Sequence, residues 1–72
     1  MSDESKSLGT ALPAEMARVR DEVLPEYLAI GVGGAFAATL IRMHLDKAAA
    51  AMAEGDVVAM LRAYQALKET SL

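Results

Sequence analysis

Cysteine and tryptophan are both missing from the 72-residue chain, which also has one phenylalanine, two tyrosines and a single histidine, His44. Each absence excludes something. Without cysteine there are no disulfides, haem attachment, iron–sulfur ligation or zinc fingers, and one imidazole cannot make a nitrogen-ligand metal site. Basic residues are also few: seven Lys and Arg stand against ten Asp and Glu, for a formal net charge of −3. They form no patch, so the counterion release that drives binding to phosphate backbones has no source. β-Branched residues are scarce and no apolar–polar alternation is sustained, so strands are not expected.

What is present is aliphatic. Apolar residues make up 54% of the chain, most of them Ala, Leu, Val and Met, types compatible with helices. A chain of this length forms one domain at most, and folding buries only about 60% of the surface its unfolded form exposes. Small domains usually compensate with disulfides, a metal or association. Here association is the route left, and a leftover apolar face is the expected means. No cofactor or metal is expected.

Residues 1–10 are polar, serine-rich and aperiodic, and read as a disordered tail; residues 11–72 read as a single helical domain. The opening residues lack the basic-then-apolar order of a signal peptide, and with no cysteine the chain reads as cytoplasmic. Met16, Val19, Val23, Tyr27 and Ile30 form a helical stripe, with Pro13 suited to a first helical turn. Pro25 lies within that stripe's length and opposes an unbroken helix. The expectation is one helix kinked at Pro25, or two short ones meeting at Leu24. Asp21, Glu22 and Glu26 read as a solvated face, lacking the ligand number calcium requires.

The segment AIGVGGAFAATLI, residues 29–41, has three glycines and no charge. It is not a dinucleotide fingerprint, because Phe36 stands where the third glycine belongs, nor a Walker A loop, because Ala35 and Phe36 follow Gly34. The uncharged run from Tyr27 to Ile41 falls short of the roughly 17–25 residues a membrane span needs, so no membrane partner is expected. It reads as a helix stop and restart, leading into a second helix from about Gly34 to Glu54. On that helix Phe36, Ala37, Leu40, Ile41, His44, Leu45, Ala48, Ala51 and Met52 fill an arc half the cylinder wide, enough for neighbours on two sides.

Gly55 suits the left-handed residue after a helix, and Asp56 suits the N-cap of the next. A tight αα-hairpin follows. Its last helix places Val57, Met60, Leu61, Tyr64 and Leu67 on one face, with Arg62, Gln65 and Glu69 away from it. Met16, Met43, Met52 and Met60 read as gap-filling side chains. Tyr27 and Tyr64 read as residues at the rim of the core whose hydroxyls find partners. His44 has no nearby nucleophile, and Asp46 points to another side of the helix. It reads as a structural or interfacial imidazole.

The hairpin is similar to two known motifs. Ala51, Gly55 and Leu61 resemble the alanine, glycine, hydrophobic spacing of a helix-turn-helix, but the last helix offers only Arg62 and Lys68, where groove contacts need several donors in the first turns. LDKAAAAMAEGDVVAMLRAYQALKE, residues 45–69, resembles one tetratricopeptide unit at Ala48, the Gly55–Asp56 turn and Tyr64, and departs from it at Met60. That covers about a third of the chain with no second copy, and a lone repeat cannot bury its face, so the likeness is one of local hairpins.

The sequence therefore predicts an all-α, three-helix domain, its first helix kinked or split at Pro25, that ends in an αα-hairpin and forms a dimeric helical bundle. Phe36, Leu40, Met43, His44 and Tyr64 are the candidate interface residues. A non-catalytic interaction or regulatory role follows, with no nucleic acid expected. The alternatives are an acidic subunit completed by a different protein or an apolar ligand and, behind it, a helix-turn-helix regulator.

Overall fold

The computed structural model describes residues 2–71, with side-chain surroundings from Leu8 to Ser71. The elements are α1 (Ser2–Arg18), a π-helical turn (Val19–Val23), α2 (Leu24–Ile30), α3 (Val32–Glu54) and α4 (Val57–Glu69). α1, the wide turn and α2 follow one another with no loop between them. Three helical rods result, and among the described residues there is no strand. α1 packs on α4, α2 on α3, and α3 on α4.

The first rod buries Leu8, Leu12, Val19 and Val23, with Met16 and Tyr27 half-buried beside them. These positions recur every three or four residues, the period that keeps one helical face against a neighbour. α1 runs through residues 2–10, the segment read from the sequence as a tail, and Leu8 is buried one turn before Leu12. A lone leucine in a polar stretch carries no periodic signal; contact with the rest of the core gives it one. Pro13 is also not in a first turn but well inside α1. It and Gly9, whose carbonyl loses its helical donor, are both exposed, so water can satisfy that carbonyl.

Around Pro25 the backbone widens before the proline arrives. The Leu24 N–H donates to the Val19 carbonyl, five residues back, and Pro25 falls in the first turn of α2. There its missing N–H costs little. Ile30, placed by the sequence on the buried stripe, is exposed because α2 ends there.

Gly31 alone breaks the chain between α2 and α3, at φ 109°. α3 therefore starts at Val32, two residues earlier than the sequence indicates, and Gly33 and Gly34 are helical. Gly34 is buried where α3 crosses α2: a Cβ there would fall on the Tyr27 carbonyl oxygen and 2.8 Å from its carbon. At the other end Gly55 adopts the left-handed conformation, and Gly55 and Asp56 donate to the Met52 and Ala51 carbonyls. The Asp56 carboxylate accepts from the Ala59 N–H at 3.1 Å and caps α4.

The core is completed by Ala38, Ile41, Ala48 and Ala51 from α3 and by Met60, Ala63 and Leu67 from α4. On α4 the buried face is rotated from the expected one. Ala63 is inside, whereas Val57 and Leu61 are exposed and Tyr64 is half-buried. Alanine lets α3 and α4 approach closely, and that approach decides which side of α4 turns inward.

Candidate interaction surface

α3 is apolar on two opposite sides. One side holds Ala38, Ile41, Leu45 and Ala48 against the other helices. The other carries Val32, Phe36, Leu40 and Met43, whose exposures are 93, 72, 41 and 42%. Spacings of four, four and three residues put these side chains in one stripe. The half-cylinder arc read from the sequence is thus divided: its Ile41 and Leu45 edge is covered, and its Phe36 and Leu40 edge is open. Met43 is not core filling, unlike buried Met60 and half-buried Met16 and Met52.

Toward the C-terminus of α3 the same face becomes hollow. Ala50 and Ala51 of α3 and Ala59, Ala63 and Ala66 of α4 line a groove of about 520 Å³ between the two helices. Small side chains leave this space unfilled. Lys47 and Arg62 stand along it, with His44 also contributing and Glu54 and Asp56 toward the hairpin. A smaller hollow on the neighbouring side brings together Leu40, His44, Tyr27, Glu69 and Thr70. His44 is half-buried and lines both.

Four of the five candidate interface residues, Phe36, Leu40, Met43 and His44, therefore lie on one continuous side of α3. Tyr64 does not join them. It is half-buried against the core, about 160° around α4 from Ala66 of the groove, and the Lys68 ammonium sits 5.8 Å from its ring centre.

Polar contacts fasten the last helix to the first rod. Arg18 donates to the Leu67 and Thr70 carbonyls at 3.0 and 3.1 Å, and Glu15 holds the guanidinium in place at 3.0 and 3.1 Å. The hydrogen bond to Glu15 raises the Arg18 pKa further above its ordinary value. A fixed cation at the carboxyl end of α4 also suits the helix dipole. The Tyr27 hydroxyl donates to the Ser71 carbonyl at 2.6 Å. Sequence reasoning missed Arg18, because its partners are 49 and 52 residues away. On the solvated side, hydrogen bonding from Arg20 holds the Asp21 carboxylate below its usual pKa.

Among the described residues no group of three metal-ligating side chains occurs, and no helix is long and apolar enough to cross a membrane. No family model matches the chain, and neither a curated protein nor a solved structure shows significant similarity to it.

Proposed function

We propose that this chain is a small non-catalytic interaction module that self-associates, as a two-fold dimer, through the outer face of α3. The observation that carries the reading is the open stripe Val32, Phe36, Leu40 and Met43. Large apolar side chains contiguous on one helix mark an interaction surface more often than scattered ones do. No disulfide braces the fold, since the chain has no cysteine, and much of its core is alanine. Two-fold pairing is the commonest closed arrangement for identical subunits. The proposed role is regulatory, in the cytoplasm.

Sedimentation equilibrium at micromolar concentration tests this reading. The unaltered chain gives twice the monomer mass, and Phe36→Glu, which puts a charge in the stripe, weakens association by about 2 kcal/mol or more, as expected for an aromatic anchor. A unaltered chain that stays monomeric and cooperatively folded overturns the proposal.

A further inference from the structure

Resting on that self-association, we infer that two copies meet through antiparallel α3 helices in one register: Phe36 of each copy seats on the alanines of the other's groove, and Met43 lies beside the two-fold axis.

Shape is the first argument. The outer face of α3 carries large apolar side chains from Val32 to Met43, and from His44 onward it borders the groove of about 520 Å³ whose lining is rich in alanine. A two-fold rotation between the halves places each bulk over each hollow, satisfying both at once. A head-to-tail contact would leave one bulky half and one hollow half open at the ends of the assembly. Setting Phe36 opposite Ala51 of the second copy also sets Leu40 opposite Lys47, Met43 opposite His44 and Gly33 opposite Glu54.

Charge supports the same register at two separate places. The N-terminus of α3 has no side-chain cap and no acidic residue in its first turn. Antiparallel pairing brings Glu54 of the second copy to it, where a carboxylate is favoured by the helix dipole and the free N–H groups. Glu69 and Leu40 both line the smaller hollow, and Lys47 lines the groove. Neither is ion-paired among the described residues. With Leu40 facing Lys47 of the second copy, Glu69 reaches that lysine, and the pairing occurs twice by symmetry. Polar pairs around an apolar centre are the usual anatomy of a specific interface.

A chain without cysteine allows a direct test by single thiols, each variant first checked for native helicity by circular dichroism. Under mild oxidation Met43→Cys forms a disulfide-linked dimer, because only positions near the axis bring two equivalent Cα atoms within about 7 Å. Ala50→Cys does not. Glu69→Lys weakens the dimer roughly tenfold, the scale of two rim pairs, and adding Lys47→Glu restores it. A dimer that links through Ala50→Cys and not Met43→Cys, or in which the double charge reversal restores nothing, overturns this arrangement and leaves self-association standing. A monomeric unaltered chain overturns both.

Discussion

Gly33 and Gly34 are neighbours in the same helix, yet their surroundings are opposite. Nothing lies within 4 Å of a Cβ added to Gly33, whereas one added to Gly34 meets the Tyr27 carbonyl. Gly34→Ala must separate α2 from α3 and should cost about 1–3 kcal/mol or more in urea unfolding. Gly33→Ala, in an open helical position, should instead stabilise by roughly 0.5–1 kcal/mol. The sequence suggests close backbone approach at Gly33, Ala37, Ala48 and Ala51, yet the crossing falls one residue later, at Gly34. Only the crossing of Tyr27 over Gly34 tells them apart. Asp56 was legible because its cap is local, made to the Ala59 N–H three residues on. Asp56→Ala should cost about 0.5–2 kcal/mol by the same measurement. Arg18 belongs with Gly34, since its acceptors come from the far end of the chain.

At the scale of elements, the sequence located the hairpin and the second helix well but misjudged rotation and extent. α4 turns Ala63 inward rather than Leu61. Hydrophobicity alone ranks leucine above alanine for burial, but close packing against α3 favours the smaller residue on that side. α1 buries Leu8 and Leu12 against the core, which no local propensity in a serine-rich stretch announces. Leu12 and Leu67 are fully enclosed, one from each half of the chain. Truncating either to alanine should cost about 2–5 kcal/mol. In a domain whose single small core supplies only about 3–5 kcal/mol, that loss should abolish the cooperative thermal transition seen by circular dichroism.

The molecule measures 43 × 17 × 15 Å, with a radius of gyration of 12.7 Å, against about 11 Å for a compact domain of this length. Elongation exposes more apolar surface per residue, and among the described residues four of the nine exposed large apolar side chains lie along α3. If a second copy covers that surface, folding and assembly are linked. The melting temperature should then rise with protein concentration, and the rise should vanish in Phe36→Glu, as calorimetry at two concentrations would measure. The open stripe was foreseeable from the sequence as an excess of apolar residues. Its place on α3 was foreseeable only in part, since Phe36, Leu40 and Met43 were named for it and Val32 was not. Val32 was missed because the helix starts before Gly34.

The joint between α2 and α3 is a single residue, Gly31, and three positions later Gly34 must meet Tyr27. That short count acts as a phase setting for the whole of α3. One residue inserted between them would advance the helix by about 1.5 Å and turn it by about 100°. Phe36 would then swing toward the interior while Ile41 and Ala48 moved out of it. Sequences sharing this architecture should therefore keep the number of residues between Tyr27 and Gly34 unchanged.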